Sequence, residues 1–442
     1  MSGTVYVVHA VDTEGPLYES LQATFERLKN TFNLDLPVSY ANLEKLRRKE
    51  IDLAGKEEIV AKFVDPKLLS YQTSWDRLES LMENIMSDAF RNQVVDSDGN
   101  GWIFNWYCLD HVMYEVNPRR RDIGYHNIHD RYLEFVDKFQ AHQDAIEWHF
   151  HPMSTYREAH RCATSYENSP HLHQVLCRRI IERNFFPSSY RAGFQTERPD
   201  SNWFLEQWIP FDCSSMAVED YSEFEAQADF KNGRSGDWRG APTDWSIYHP
   251  DLYDYRKPGN LKRWIARFLN LNTRLANIDQ EEVDKAFLRA QNGQDTLLGV
   301  ANHDWRDVAH EVNIVRDLLS DASARFPDVP FKFSKTKDAF NQIVNEGNYE
   351  KLELSVELKL EEGNYHLYVD TNASEVFGPQ PYLAIKTKSG RFIHDNFDFS
   401  VCGKSWSYVF DAETVLSSDL DTVGVAANNK FGDTFIKVIS VE

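Results

Sequence analysis

Residues 1–345 alternate between short apolar runs and longer amphipathic stretches. Residues 4–11 (TVYVVHAV) are continuously apolar and β-branched, which is typical of a strand buried on both faces. Strands that alternate with helices predict parallel βα units, arranged as an open sheet or a closed barrel. Similar apolar runs occupy 101–107, 145–150, 188–192, 209–216 and 296–301. Helical periodicity lies between the runs at about 18–32, 74–91, 129–142, 170–184, 200–208, 259–269, 280–292 and 306–325.

The pattern changes after Asn345. Residues 349–442 alternate between apolar and polar positions with period two, which predicts an antiparallel β-sandwich. We therefore expect two domains, residues 1–346 and residues 349–442. Because the second segment lacks polar clusters at its strand ends, we predict an autonomous docking or glycan-binding module. The alternative is that it covers an apolar face of the first domain, around the helix at 306–325, and is needed for stability.

Composition argues against several classes of partner. The 442 residues include 48 Lys and Arg against 69 Asp and Glu, and the formal charge of −21 repels nucleic acid and anionic membranes. No apolar run approaches the ~20 residues of a membrane span. The first residues (MSGTVYVV) resemble a strand rather than a secretory signal, and five scattered cysteines without a CxxC pair fit a reducing compartment. We therefore expect a cytoplasmic protein, and the oligomeric state stays open.

Residues with metal-binding chemistry follow two of the predicted strands. Asp12 and Glu14 come directly after the first run, and His149 and His151 end the run at 145. Residues two apart on an extended segment point the same way, so each pair can converge on one point. Two carboxylates and two imidazoles predict a nitrogen and oxygen site for zinc or a related divalent ion.

Two further strand ends carry groups suited to catalysis. The run at 188 continues into YRAGF, which includes Arg191, and the run at 296 continues into NHDW, which includes His303 and Asp304. In a parallel α/β barrel the catalytic residues lie where the strands end, at the C-terminal face. These side chains are therefore expected to meet the two pairs above.

Each signal has an ordinary structural explanation when it stands alone. Asp12 could be no more than a helix N-cap, and His-x-His arises by chance in a chain with 15 histidines. His171 and His173 form such a pair in a predicted helix, where side chains two apart diverge, and we expect them at the surface. Residues 96–103 resemble the start of a calcium loop, but position twelve is Tyr107 rather than Glu, so a polar turn is expected. The coincidence of four strand ends is what predicts a site.

In chain order, the motifs VDTEG (11–15), EWHFHP (147–152), YRAGF (190–194) and VANHD (300–304) resemble the polysaccharide deacetylases, carbohydrate esterase family 4. The resemblance spans roughly residues 1–335 in motif order. It implies a distorted (β/α) barrel of the seven-stranded NodB type. It also implies one metal ion, held by an acidic residue and two histidines, whose bound water attacks an N-acetyl group.

The resemblance assigns a role to each matching residue of this chain. Asp12 resembles the base, and Glu14, His149 and His151 resemble the metal ligands. His303 resembles the general acid that protonates the departing amine.

The third motif and its acidic partner complete the set of residues that the resemblance assigns. Arg191 resembles the arginine that orients the base. Asp237, within GDWR, resembles the acidic partner of that arginine, and Asp244 is a competing match.

Two positions depart from the pattern of the family. The usual spacing of the second motif is H-x-x-x-H, whereas the sequence here is H-x-H with Met153 in the fifth place. Which of His149, His151 or Asp304 completes the metal site is therefore open. Gly193 stands where a proline is usual.

The leading hypothesis is a metal-dependent, deacetylase-like hydrolase that acts on an N-acylated sugar or a nucleotide-linked glycan precursor. It would use one divalent ion, Zn²⁺ in the first place and Mn²⁺, Co²⁺ or Ni²⁺ otherwise. The alternative is a non-catalytic carbohydrate-binding or assembly protein built on a degenerate barrel. The two departures favour the alternative slightly. The joint presence of Asp12, Glu14, Arg191 and His303 favours the enzyme, because a binding module needs no base, acid and metal together.

Overall fold

The computed structural model describes residues 2–69, 71–111, 127–152, 165–166, 169, 171–227, 236–371 and 375–441. Each of the first six strands pairs in parallel with the next along the chain, and the seventh pairs with the first, which closes a barrel. The barrel strands are β1 (Val5–Thr13), β2 (Phe104–His111), β3 (Ala145–His151), β4 (Ser189–Ala192), β5 (Phe211–Ser215), β6 (Trp264–Asn270) and β7 (Thr296–His303). A short strand, β8 (Phe331–Phe333), pairs with the first half of β1. The predicted α/β barrel is confirmed, in its closed form.

The connections between strands contain helices. Their bounds are α1 (Leu21–Phe32), α2 (Tyr40–Arg47), α3 (Glu57–Phe63), α4 (Trp75–Ile85), α5 (Asp88–Arg91), α6 (Asn127–Lys138), α7 (Leu172–Arg183), α8 (Pro199–Trp208), α9 (Ser222–Glu225), α10 (Gln280–Gln291), α11 (Val308–Arg325) and α12 (Thr336–Val344). Helices α1 to α5 all belong to the connection between β1 and β2. Helices α1, α2 and α3 share a small apolar core of their own, which includes Phe25, Leu28 and Phe63. This excursion begins immediately after Glu14, so it can form a wall beside the ends of the strands.

One element prediction is wrong. The pattern predicts a helix at 259–269, whereas the structure has strand β6 at Trp264–Asn270. Apolar pairs at Trp264-Ile265 and Phe268-Leu269 recur at a spacing of four, which imitates a helix. A strand of a closed parallel barrel is covered on both faces and need not alternate. Pairing with β5 and β7 therefore overrides the local periodicity.

Residues 354–440 form two antiparallel sheets. The strands are β9 (Leu354–Glu361), β10 (Asn364–Thr371), β11 (Tyr382–Thr387), β12 (Phe392–Asp395), β13 (Asp398–Val401), β14 (Ser405–Phe410), β15 (Leu420–Asn428) and β16 (Thr434–Ser440). Their order is β13-β14-β10-β9 in one sheet and β12-β11-β15-β16 in the other. Leu367 and Trp406 of the first sheet share an apolar core with Ile385 and Val425 of the second. This arrangement agrees with the predicted β-sandwich.

The second sheet of the sandwich also packs against helix α7 of the barrel. Leu176 and Ile180 on α7 share an apolar cluster with Tyr382 and Ala384 on β11. The approach is close, because a Cβ atom added at Gly424 on β15 would lie 2.7 Å from Cγ2 of Ile180. The sandwich therefore covers an apolar face of the barrel at α7, not at the helix of residues 306–325 that sequence suggested. The domain boundary at 346–349 stays a prediction.

In the part of the chain that the structure describes, no helix is both long enough and apolar enough to cross a bilayer. Cys108, Cys177 and Cys213 are buried free thiols and Cys402 is an exposed one.

Candidate active site

The candidate site is built on the row of β1 side chains that faces the barrel interior. Val8 and Ala10 belong to the interior apolar cluster, and period two places Asp12 next in the same row. Asp12 lies opposite His303 in the register between β1 and β7. The apolar filling of the barrel thus gives way to polar chemistry at the C-terminal ends of the strands, as predicted.

Glu14, His149 and His151 form a buried group whose ligand atoms all lie within 4.8 Å of one another. Oε1 of Glu14 is 3.6 Å from Nε2 of His149 and 3.4 Å from Nε2 of His151. The two Nε2 atoms are 2.9 Å apart. Donors of a tetrahedral zinc site, with bonds of ~2.0–2.1 Å, are separated by about 3.3 Å. The three residues could therefore bind a divalent ion.

The backbone fixes the orientation of one imidazole. Nδ1 of His149 lies 3.0 Å from the carbonyl oxygen of Arg191, to which it can only donate. The proton is thus on Nδ1, which leaves Nε2 as the donor atom that faces Glu14. A hydrogen bond of this kind from the second ring nitrogen is the usual companion of a histidine metal ligand.

Asp304 positions Glu14. The backbone N–H of Glu14 donates to Oδ1 of Asp304 at 3.0 Å, and the N–H of Gly15 donates to Oδ2 at 2.8 Å. The hydroxyl of Tyr132 also donates to Oδ2, at 2.9 Å. These contacts tie the turn that carries Glu14 to the end of β7. Sequence left open whether Asp304 joins the metal site, and the group of donors that the structure assembles is Glu14, His149 and His151.

Asp12 forms a buried, two-pronged ion pair with Arg191. Nε of Arg191 donates to Oδ1 at 2.7 Å, and Nη2 donates to Oδ2 at 3.0 Å. Nη1 of Arg191 donates to the carbonyl oxygen of Cys213 at 2.6 Å, which fixes the guanidinium. Burial alone would raise the pKa of Asp12, but the charge and hydrogen bonds of Arg191, together with His149 and His303, outweigh it and hold that pKa well below its usual range.

His303 lies beside the metal donors. Its Nε2 atom is 3.9 Å from Oε1 of Glu14, and a quarter of its side chain (25%) is exposed. Its ring centroid lies 4.7 Å from that of Trp305, whose indole N–H donates to Oε2 of Glu14 at 3.4 Å. Greater exposure than the neighbouring histidines suits His303 to exchange protons with a bound molecule.

Asp237 does not occupy the place that the resemblance gives it. Its carboxylate accepts hydrogen bonds from the side chain of Arg239 at 2.9 Å and 2.6 Å, and lies 3.3 Å from Arg256. The partner of Arg191 is Asp12 instead. The competing match, Asp244, accepts from the N–H and the hydroxyl of Ser246. Asp237 is paired with Arg239, two residues along the chain, and with Arg256, so it is not the partner of Arg191.

Gly193 and His151, the two departures from the family pattern, are in contact. A Cβ atom at position 193 would lie 2.3 Å from Cδ2 and 2.8 Å from Nε2 of His151. The next residues, Phe194 and Gln195, both have positive φ angles of 54° and 50°. The N–H of Gly236 and the indole N–H of Trp238 donate to their carbonyl oxygens, which holds this unusual loop in place. Gly193 is therefore the residue that makes room for the second imidazole.

The three donors, Asp12 and His303 all line one cavity of about 230 Å³. Its other walls come from the excursion after β1, from β2, from the segments after β4, β5 and β7, and from the end of β6 with the loop before α10: Arg27, Phe63, Leu68, Tyr71, Leu109, Phe194, Gln195, Met216, Asn270, Thr273, Arg274, Leu275, Trp305 and Arg306. The contribution of the excursion was not predicted, because this segment has no motif. Its length was a usable signal, because long connections in compact domains are usually functional.

The expected polar turn at 96–103 is present. Oδ1 of Asp96 accepts from the N–H groups of Asp98 and Asn100, at 2.9 Å and 2.8 Å. Oδ2 of Asp96 accepts from the N–H of Phe333 on β8, at 3.1 Å. The carboxylate of Asp96 thus joins a turn to a strand.

No family model, curated protein or solved structure matched this chain when it was compared with each. The likeness to polysaccharide deacetylases therefore rests on the motif residues.

Proposed function

We propose that this chain is a metal-dependent hydrolase that removes an acyl group, in the first instance N-acetyl, from a sugar or glycan precursor. The observation that carries the proposal is that three metal donors, an arginine-held carboxylate and a further imidazole line one cavity. Two imidazoles with one carboxylate favour Zn²⁺, with Mn²⁺, Co²⁺ or Ni²⁺ as alternatives. The buried thiols and the acidic composition are in keeping with activity in the cytoplasm.

Each residue has a defined part in this reaction. A divalent ion bound by Glu14, His149 and His151 would supply an activated water and polarise the acyl oxygen. Asp12 faces the same cavity and takes the proton of the attacking water. Arg191 keeps Asp12 ionised and fixes both of its oxygens, so the base has one orientation.

Release of the amine needs a proton donor on the other side of the reacting bond. His303 lies at the end of β7, next to the metal donors and more exposed than they are. We assign it the role of general acid, which gives its proton to the departing nitrogen.

The contact between Gly193 and His151 weakens the case for a degenerate binding protein. As isolated departures, a missing proline and a shortened histidine spacing suggest loss of function. Their contact means that the glycine accommodates the second histidine, and the two changes support an intact set of donors.

The test uses metal-loaded protein and a panel of N-acetylated mono- and oligosaccharides, with release of free amine as the readout. Asp12→Asn and His303→Ala should each reduce turnover at least about 100-fold, which is the usual contribution of a positioned acid or base. Both variants should retain the metal content of the wild type. His310→Ala, an exposed histidine on α11, is the matched control and should retain activity. Loss of the metal in either variant would mean that the division of roles is wrong.

A further inference from the structure

The cavity wall carries three arginines that the proposed reaction does not use, of which Arg306 is paired with the buried Glu311. Arg27 lies on α1 and Arg274 lies in the loop between β6 and α10, and both line the cavity that contains the metal donors. Their guanidinium carbons lie 4.4 Å and 5.6 Å from the ring centroid of Phe63. One aromatic ring therefore holds two positive charges beside the site.

The cavity lacks the excess of negative charge that the protein has as a whole. Apart from Asp12 and Glu14, the described residues that line it include no carboxylate. Asp12 is neutralised by Arg191, and Glu14 belongs to the metal donors. The chain as a whole has a formal charge of −21. Because salt screens charges beyond about 8–10 Å, an anion inside the cavity responds to Arg274 and to Arg27 with its partner Glu19 more than to the charge of the outer surface.

Both guanidiniums are held in position by polar partners. Nη1 of Arg27 donates to the two oxygens of Glu19 at 2.7 Å and 2.8 Å, and the Glu19 side chain is only 2% exposed. Nη1 of Arg274 donates to the neutral amide oxygen of Gln227, which is buried. A guanidinium has five N–H donors in a rigid fork that matches carboxylate and phosphate oxygens. Two pre-positioned forks are a suitable receptor for such an anion.

An aromatic wall connects the metal donors to Arg27. The indole N–H of Trp305 contacts Glu14, and its ring centroid lies 5.0 Å from that of Tyr71. The hydroxyl of Tyr71 lies 3.4 Å from Oε2 of Glu19, the partner of Arg27. Rings of this kind offer apolar faces to a sugar. A cavity of about 230 Å³ is smaller than the ~300–1,000 Å³ of pockets for drug-sized ligands, so it suits a single sugar unit.

We infer that the substrate is a small N-acylated sugar with an anionic substituent, either a phosphoryl or a carboxylate group. Arg27 and Arg274 bind the anion, while the acyl group faces Glu14, His149 and His151. The acyl end of this assignment rests on the proposed function. The anion subsite depends only on the arginines and can be tested without turnover.

The test measures binding by isothermal titration calorimetry with three probes: N-acetylglucosamine, its 6-phosphate and its uronate. Both charged probes should bind at least tenfold more tightly than the neutral sugar, and tight binding of one alone identifies the anion as phosphoryl or carboxylate. The preference should disappear in Arg274→Gln and in the double variant Glu19→Gln/Arg27→Gln, which keeps a neutral pair in place of the buried ion pair. Arg239→Gln, a surface arginine with an exposed side chain, is the control.

Metal-free protein separates the arginines from the ion, because phosphate also binds zinc directly. The preference should persist after removal of the metal by EDTA. The inference is overturned if no probe binds, if the charged probes show no preference, if the preference survives both arginine variants, or if it vanishes with the metal. Hydrolysis of neutral sugars without any preference would leave the proposed function standing and remove this inference. Arginine-dependent binding without hydrolysis would do the reverse.

Discussion

The sequence His-x-His occurs twice in this chain, and the structure uses its two copies differently. On strand β3, His149 and His151 both face the barrel interior, with their Nε2 atoms 2.9 Å apart beside Glu14. At the start of α7, the side chains diverge: His171 is the N-cap residue, and His173 faces the sandwich. The strand brings its two imidazoles together, and the helix separates them.

His173 nevertheless has an imidazole partner, which comes from the other part of the chain. Its ring stacks on that of His394 on β12, with centroids 4.4 Å apart and an angle of 13°. Nδ1 of His173 lies 3.0 Å from the hydroxyl of Tyr382, and Nδ1 of His394 donates to the carbonyl oxygen of Leu383. Within the described ranges, a grouping of metal donors occurs only at Glu14, His149 and His151. Among the described residues, the His-x-His copy that could hold a metal is the one whose imidazoles lie beside a carboxylate, whereas His173 serves the interface with the sandwich.

The largest effect should follow from removing the sandwich, which the stacked rings of His173 and His394 help to hold against α7. A chain that ends at Asn348 would expose the apolar face of α7, including Leu176 and Ile180. Exposed apolar surface costs about 25 cal/mol per Å² and promotes aggregation. We expect residues 1–348 to be insoluble or partly unfolded by circular dichroism, contrary to the autonomous module that the sequence favoured. The full-length His394→Ala variant is the control and should stay soluble. A folded, soluble barrel with bound metal would restore the module hypothesis.

The next largest effect should be the loss of metal when the group of Glu14, His149 and His151 is changed. His149→Ala and Glu14→Gln each remove one of three donors and should lower the metal content from about one ion per chain to nearly none, as measured by mass spectrometry of the purified protein. His173→Ala changes the same residue type in the other His-x-His sequence and should leave the metal content unaltered. Equal loss in His173→Ala would mean that the site and the interface are coupled, and retention in His149→Ala would mean that the ion lies elsewhere.

The stacked rings of His173 and His394 should make the stability of the fold depend on pH. Burial lowers the pKa of His173 to about 4 and that of His394 to about 3, from the ordinary 6.5. Folding therefore favours the neutral rings: their contribution to stability is complete above pH 6.5 and is lost as the pH falls towards the folded pKa. One pKa unit corresponds to about 1.4 kcal/mol, so each ring should cost about 2 kcal/mol at pH 5 relative to pH 8.

Urea unfolding of the metal-free protein at the two pH values measures this cost without interference from metal binding. His173→Gln should reduce the difference between pH 8 and pH 5, whereas His310→Gln on the exposed face of α11 should not. An unchanged difference in His173→Gln would mean that other buried histidines, such as His9 with a pKa lowered to about 4, dominate.

The sequence predicted what depends on local geometry and missed what depends on distant partners. Period two along a strand is local, so the convergence of Glu14, His149 and His151 on one point could be predicted before the fold was known. The surface position expected for His173 is wrong, because the sandwich covers its ring. The local sequence could not show this, since the hydrogen-bond partner Tyr382 lies 209 residues further along the chain. Arg27 and Phe63 could not be found for a similar reason, since the excursion that carries them meets the cavity only through tertiary packing.

The smallest effect concerns the space beside the first pair, and it tests whether Gly193 is present for His151. In Gly193→Ala the new Cβ would lie 2.3 Å from Cδ2 and 2.5 Å from Cγ of His151, so the ring must move. We expect zinc affinity, measured by competition with a chromophoric chelator, to fall about tenfold, or about 1.4 kcal/mol, while the fold persists. Gly101→Ala, whose Cβ meets the side chain of Asn92 far from the site, controls for the general effect of the substitution. A double-mutant cycle decides the cause, and its readout is the free energy of urea unfolding of the metal-free protein, because His151→Ala itself removes a metal donor. In the His151→Ala background the ring is absent, and alanine at position 193 should cost no further stability. An equal cost in both backgrounds would place the effect in the backbone of the Phe194 loop, and the glycine and the second histidine would then be independent features.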